Sequence, residues 1–225
     1  MQIIEIYRSI QGESSFAGLP CIFVRLAACN LRCSWCDSEY TFTGGRKMAT
    51  EEIEREVVRL ASAGLVEITG GEPMLQEREL VPLVERLLAR GYTLLLETSG
   101  ERPLEKVPAA VHKIVDVKCP GSGEGGSFRL ANLSTLTQRD EVKFVLTDRA
   151  DYEFARDFTR EHQLESKAGV LFSPAFLKEP SRERDSSNCQ LDPQLLAGWI
   201  LEDGLNVRLG LQIHKFIWEP ATKGV

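Results

Sequence analysis

The sequence predicts an α/β fold, a partial and open (β/α) barrel of about six βα units. Short apolar runs alternate with amphipathic stretches of helical period, the order that builds parallel βαβ units. Polar and glycine-rich residues fall at the ends of the apolar runs, where parallel α/β folds gather their ligands. With 225 residues, the chain is shorter than the about 250 that a complete eight-fold barrel takes. That leaves room for roughly six units in a single domain over 1–225.

Residues 2–10 read as a first strand, with Ile4, Ile6 and Tyr7 among polar neighbours, running into Ser9-Ile10-Gln11-Gly12-Glu13. Gly12 permits a tight turn there. Residues 21–28 read as a second strand. Its single charge, Arg25, needs a carboxylate from the protein or from a ligand, because a buried guanidinium alone is costly. Cys21 reads as a small core residue. Thr50–Ala63 is expected to be helical, with Thr50 as N-cap, Glu51 and Glu52 at the positive end, Ile53, Val57, Leu60 and Ala61 on one face and Gly64 as the stop. Leu65–Thr69 is a short strand. Leu80, Val84, Leu87 and Leu88 mark a second helix, ended by Gly91. Tyr92–Glu97 and His112–Lys118 are strands, the latter after a proline-interrupted connection. The glycine-rich run 120–126 reads as a mobile loop. Asp140–Leu146 is a strand, Ala150–His162 a helix and Val170–Phe172 a strand. Residues 177–190 are polar and irregular, Leu191–Leu201 is helical, and Val207–Phe216 reads as a final strand.

Composition narrows the function classes. An apolar fraction of 43% supports a packed core, and a net charge of −6 argues against electrostatic binding of nucleic acid. No run has the apolar length of a membrane span. The first residues, Met1-Gln2-Ile3-Ile4-Glu5, lack the basic and apolar regions of a signal peptide. Six cysteines, three of them clustered, are not a disulfide framework in a chain of this length. A reducing cytoplasm is the expected location.

The clustered cysteines are Cys29, Cys33 and Cys36, in a Cys-x-x-x-Cys-x-x-Cys spacing just after an apolar run. Thiolates from one short loop converge on one inorganic centre and select zinc, copper or iron–sulfur. A structural zinc site closes with four ligands, and Cys21, Cys119 or Cys189 is available as a fourth. An ordinary [4Fe-4S] cluster also takes four cysteines, so three leave one iron open to a small molecule. Further along, Thr69-Gly70-Gly71-Glu72-Pro73, Glu97-Thr98-Ser99-Gly100, Asp116-Val117-Lys118 and Ser173-Pro174 each end a strand. Their glycines let backbone groups approach a ligand, and Glu72 is placed to accept from an ammonium. Ser38, two residues past the last cysteine, caps a turn or offers its hydroxyl to a hard cation such as magnesium.

The cysteine triplet together with the Thr-Gly-Gly-Glu-Pro turn resembles the radical S-adenosylmethionine (SAM) enzymes. Ser9-Ile10-Gln11-Gly12-Glu13, Phe23-Val24-Arg25-Leu26, Cys36-Asp37-Ser38, Glu97-Thr98-Ser99-Gly100 and Gln212-Ile213-His214-Lys215 narrow the resemblance to the 7-carboxy-7-deazaguanine synthase family. It runs from residue 4 to about 220 and is weakest at 120–140 and 177–206. It implies a radical SAM type of barrel and a carbon–nitrogen lyase of queuosine and 7-deazapurine biosynthesis. A reduced [4Fe-4S] cluster would split SAM to methionine and a 5′-deoxyadenosyl radical, which takes hydrogen from 6-carboxy-5,6,7,8-tetrahydropterin. The ring then contracts and ammonia is lost, giving 7-carboxy-7-deazaguanine, and SAM is regenerated.

The resemblance also implies roles for individual residues. Cys29, Cys33 and Cys36 would hold the cluster. Trp35, Gly71, Glu72, Glu97, Ser99, Asp116, Val117, Lys118, Ser173 and Pro174 would form the SAM surface. Ile10, Gln11, Gly12, Arg25 and Thr69 would hold the pterin, with Arg25 on its carboxylate, and Ser38 would bind Mg2+. Pro220 matches a terminal proline that closes over the pterin, although here Ala221–Val225 continue beyond it. An electron donor such as a flavodoxin or ferredoxin and a homodimeric state follow from the same resemblance. An activase of glycyl-radical enzymes, with the same cluster and SAM turn but a protein substrate, is the alternative; a zinc-binding interaction module is the other.

Overall fold

The computed structural model describes residues 1–61 and 64–225. Its sheet has nine strands in the order β3-β1-β2-β4-β5-β6-β7-β8-β9. Their bounds are β1 Gln2–Ile10, β2 Pro20–Leu26, β3 Arg46–Lys47, β4 Leu65–Gly70, β5 Thr93–Thr98, β6 His112–Asp116, β7 Glu141–Leu146, β8 Gly169–Pro174 and β9 Arg208–Leu209. From β2 through β9 every neighbouring pair is parallel, while β1 lies antiparallel to both β2 and β3. The sheet does not close on itself, so this is the open barrel that the alternation predicts, with six long parallel strands. Helices α1 (Thr50–Leu60), α2 (Glu77–Ala89), α3 (Arg149–Glu161) and α4 (Pro193–Glu202) cover its outer face. Two crossovers carry no α-helix: β5 to β6, and β6 to β7, where only 3-10 turns occur.

Side chains alternate across the pleat, and the register fixes which ones face inward. Ile22, Val24 and Leu26 of β2, with Val66 and Ile68 of β4 and Leu94 and Leu96 of β5, pack outward under α1 and α2. Val142, Phe144, Val170 and Phe172 do the same under α3 and α4. The opposite set, Cys21, Phe23, Leu65, Leu95 and Ile114, with Tyr7 and Phe16 beside it, forms an apolar plug at the floor of the barrel interior. Next along the same inward rows come Arg25, Glu67, Thr69, Glu97, Asp116 and Lys143, on the side where the strands end.

Three local expectations change. The helix expected over Thr50–Ala63 ends at Leu60, and residues 62 and 63 lie outside the described residues; Ala49 rather than Thr50 takes the N-cap position. The final strand expected over Val207–Phe216 shrinks to Arg208–Leu209, and His214–Ile217 form a short helical turn, α5. That turn is anchored by the Ile213 N–H donating to the Gly12 carbonyl, 2.8 Å, which draws the segment over the barrel mouth instead of along β8. The glycine-rich run is pinned as well. Gly121 N–H donates to Asp151 (2.7 Å) and the Ser122 hydroxyl to the Cys119 carbonyl (2.6 Å).

Candidate active site

The strand ends, the cysteine loop and the C-terminal segment enclose one cavity of about 480 Å³, a size that suits a cofactor or small-molecule site. Cys29, Cys33 and Cys36 line one end of it, half buried. The loop that carries them has no regular structure, so other segments must hold it. Glu72 N–H donates to the Ala28 carbonyl (2.8 Å) and Gly71 N–H to the Leu26 carbonyl (3.2 Å), tying the Gly-Gly-Glu turn to the start of the loop. A side chain on Gly71 would collide with the Ala28 carbonyl and the Cys29 side chain, so glycine is required there by that close approach. On the far side, Glu124 accepts from Arg32 N–H (2.5 Å), and Ser34 donates from its N–H to the Ser122 carbonyl (2.9 Å) and from its hydroxyl to the Gly121 carbonyl (2.8 Å).

The cysteine set fits a cluster better than a single ion. Among the described residues no three His, Cys, Asp or Glu side chains converge on one ion-sized point, whereas zinc–sulfur bonds of about 2.3 Å demand such convergence. A four-iron cluster holds its cysteines further apart. No fourth cysteine lines the cavity: Cys21 is in the barrel floor and Cys119 in the outer core, and Cys189, bridged through its backbone to the lining residue Phe176, does not itself face it. Burial keeps the free Cys33 thiol high, at about 11, so iron would have to displace that proton.

Beside the cysteines, Lys118 lies 4.7 Å over the Trp35 ring and bonds Asp116 at 2.8 Å. Burial opposes its charge, but Asp116 holds its pKa above the ordinary value. Trp35 Nε1 and Asp116 Oδ1 are buried without a partner among the described residues, so this wall offers a donor and an acceptor to a ligand. Gly71, Glu97 and Ser99 line the same cavity. Four residues expected on this surface are placed otherwise. Val117 points into the outer core. Ser173 and Pro174 are buried off the cavity wall. Glu72 is fully buried, and its carboxylate already accepts from Met74 N–H (2.9 Å), the Thr98 hydroxyl (2.7 Å), Ser99 N–H (2.8 Å) and the Ser99 hydroxyl (2.7 Å). It is therefore corrected from an acceptor for an ammonium to the brace that sets Ser99.

The floor and opposite wall carry the other set. Ile10, Gln11, Gly12, Arg25, Thr69 and Pro220 all line the cavity. The Gln11 amide is fixed at both ends, donating to Glu67 (2.8 Å) and accepting from Glu13 N–H (2.7 Å). Gly12 lies against the His214 ring, which a side chain at position 12 would strike. Arg25 finds a carboxylate within the protein, Glu5 at 2.8 Å, and also bonds the Tyr7 hydroxyl at 2.7 Å. Burial opposes its charge, but Tyr7, Tyr40 and Glu5 more than offset that. Ser38 donates to Asp37 (2.8 Å), whose other oxygen meets Lys215 (2.6 Å). One hydroxyl and one engaged carboxylate are fewer oxygen ligands than a hard cation such as magnesium takes. The tail beyond Pro220 also lines the mouth, with Lys223 4.3 Å over the Tyr40 ring.

Four residues at the centre have no role in the motif reading: Glu13 and His214, which stand inside its motifs, and Glu67 and Lys143, which do not. Lys143 bonds Glu13 (2.9 Å) and Glu97 and lies 3.8 Å from Asp116. Burial alone would raise Glu13, yet Lys143 and then His214 pull it down to about 2. Glu67 bonds no cation among the described residues, and burial, with Glu97 next in weight, pushes it up to about 8 against the Gln11 bond and the more distant Lys143. Charged residues inside otherwise apolar strands, Glu67 in Leu65–Gly70 and Lys143 in Glu141–Leu146, were the readable signal.

A three-cysteine loop tied to a Gly-Gly-Glu turn above a polar cavity defines the radical SAM class, and a family model described as the Radical SAM superfamily matches residues 24–118. The chain is 71% identical, over the whole of both sequences, to a 7-carboxy-7-deazaguanine synthase of Koribacter versatilis. It is 41% identical to one of Chlorobaculum tepidum, covering all of this chain and 97% of that one. It belongs to the 7-carboxy-7-deazaguanine synthase family. The fold matches the crystal structure of QueE from Escherichia coli with a TM-score of 0.73 at 23% identity, covering 93% and 92% of the two chains.

Proposed function

We propose that this chain converts 6-carboxy-5,6,7,8-tetrahydropterin to 7-carboxy-7-deazaguanine with loss of ammonia, as a carbon–nitrogen lyase of queuosine biosynthesis working within one domain. The observation that carries this reading is the single cavity with three cysteines at one end and a fixed polar recognition set, Gln11, Gly12, Arg25 and Thr69, at the other. When bound, a [4Fe-4S] cluster and SAM supply the reversible hydrogen abstraction that starts and ends the reaction.

The residues of the chain supply placement and charge. Cys29, Cys33 and Cys36 hold the cluster. Trp35, the Gly71 backbone, Ser99, Asp116 and Lys118 face SAM, with Glu72 holding Ser99 in position. Gln11 can read donors and acceptors on the pterin because its amide cannot flip without losing both of its bonds. The Arg25 guanidinium has three N–H donors left over from its bonds to Glu5 and Tyr7, enough to receive a substrate carboxylate. The apolar plug below keeps bulk water from the floor, which strengthens every charge interaction above it. Ser38 would contribute its hydroxyl to Mg2+ shared with substrate.

A flavodoxin- or ferredoxin-like electron donor, a homodimer and a cytoplasmic location complete the proposal. The supports are the cluster's need for an electron and six free cysteines. No helix among the described residues is long and apolar enough to cross a membrane. The test is anaerobic turnover with reconstituted cluster, SAM, reductant, magnesium and the pterin, followed by product mass. A product lighter by ammonia, with SAM not consumed in proportion, is expected. Cleavage of SAM to 5′-deoxyadenosine without conversion of the pterin would refute the substrate and reopen the activase reading.

A further inference from the structure

Four carboxylates meet in the cavity: Glu67 from β4 and Asp116 from β6, both buried, and Glu13 from the turn after β1 and Glu97 from β5, both half-buried. Like charges this close do not stay together without a cation. Two ammonium groups face them. Lys118 pairs with Asp116. Lys143, buried on β7, reaches Glu13, Glu97 and Asp116 together. His214 faces Glu13 from the C-terminal segment, but burial holds its pKa below the ordinary value. Without Lys143, Asp116 would keep Lys118, while Glu97 would keep only the Thr69 hydroxyl (3.1 Å) and Glu13 only the Gln212 amide (2.8 Å).

We propose that Lys143 is a positioning residue of the reaction: its ammonium joins the turn that holds the pterin to the strand end that faces SAM, and fixes the Glu13 and Glu97 carboxylates between the two ligands. The geometry supports this on both sides. Glu13 N–H locks the Gln11 amide, so the turn's recognition groups move with Glu13. Glu97 accepts from the Thr69 hydroxyl on the pterin wall and is the penultimate residue of β5, which leads into Ser99. The inference rests on the functional reading above, since it assigns Lys143 to the placement of that substrate.

The experiment compares wild type, Lys143→Met and Lys143→Arg as reconstituted enzymes, with the pterin varied at pH 6 to 9. Loss of the cation from a buried group should lower kcat/KM about 100-fold near neutral pH. It should also create an acidic limb, rising about tenfold per pH unit, because Glu13 then ionises only at higher pH. Wild type should lack that acidic limb, any slope near pH 8 from Glu67 being common to all three proteins, and Lys143→Arg should restore the wild-type profile. Lys143→Met with wild-type kinetics, or with the same fractional loss at every pH, would overturn the proposal, the latter outcome meaning structural support alone.

Carboxyl 13C NMR of the cluster-free protein, with Glu13 assigned through Glu13→Gln, gives a second measure. Glu13 should titrate at clearly higher pH in Lys143→Met, and an unchanged titration would also overturn the proposal. If Lys143→Met does not fold, Lys143→Met/Glu97→Gln, which deletes a carboxylate with the cation, takes its place with the same expected limb. A wild-type enzyme that leaves the pterin unchanged would refute the functional reading, while the NMR comparison would still decide the hold of Lys143 on Glu13.

Discussion

Glu67→Gln should make the protein more stable at alkaline pH and leave its stability near pH 5 little changed. Glu67 is 2% exposed, sits directly on the apolar plug, and has one partner, the Gln11 amide. Burial first, then Glu97, raises its pKa from 4.5 to about 8. The folded protein therefore binds a proton that the unfolded chain gives up above about pH 4.5. The stability this group contributes is complete below that pH and is lost as pH rises through about 8. At 1.36 kcal/mol per pH unit, full ionisation would cost a few kcal/mol, a large part of a typical folding free energy. Glutamine keeps an acceptor for Gln11 and has no proton to lose. The assay is urea unfolding of the cluster-free protein between pH 5 and 9. Wild type should lose stability over that range, and Glu67→Gln should lose much less. Parallel pH dependences for the two proteins would refute the claim that Glu67 is protonated in the folded cavity.

Other perturbations test the framework around the ligands. Glu72→Ala strands four buried donors and should lower urea stability by about 3–5 kcal/mol; a loss under about 1 kcal/mol would contradict the brace. Glu124→Ala with Ser34→Ala removes the two side-chain contacts that hold the cysteine loop from the side of residues 121–124, at about 1 kcal/mol per bond. Iron and sulfide retained after desalting should fall several-fold, and unchanged retention would show that the Gly71 side and the Ser34 N–H bond to Ser122 fix the loop without them. Deletion of Ala221–Val225 removes Lys223 from the Tyr40 ring, a contact of about 0.5–1 kcal/mol. KM for the pterin should rise at most about fivefold with kcat kept, whereas a loss of kcat would place the tail among groups that act after binding.

The architecture was legible because its determinants are local and periodic. Runs such as Cys21–Leu26 and Leu65–Thr69 are buried on both faces, as strands of a covered parallel sheet are, and the helices between them show one apolar face. Failure came at Val207–Phe216, where Val207, Leu209, Leu211 and Ile213 alternate like a strand. Pattern alone could not show that the segment is drawn away from β8 by a bond to Gly12, a residue about two hundred positions earlier. The cysteine loop and the glycine turn were legible as motifs, yet the direction of a side chain within a motif was not. Glu72 reads as a ligand because it is acidic and sits beside two glycines. Its fate depends on Thr98 and Ser99, one strand away.

Charge inside the barrel is the signal most open to a sequence argument. Arg25 was singled out because a lone guanidinium in an apolar run needs a partner. The same reasoning applies to Glu67, Lys143 and Lys113, each of which interrupts an apolar strand. It also separates them once the pleat is known. Lys113 faces outward and closes on Asp140 at 3.0 Å, a pair fixed by structure alone. Glu67 and Lys143 face inward, where the supply of cations falls short of the carboxylates. A fold that wanted only stability would put apolar side chains there. Keeping four acids around two ammonium groups at the strand ends makes sense if incoming ligands, themselves charged and rich in N–H groups, complete the arrangement.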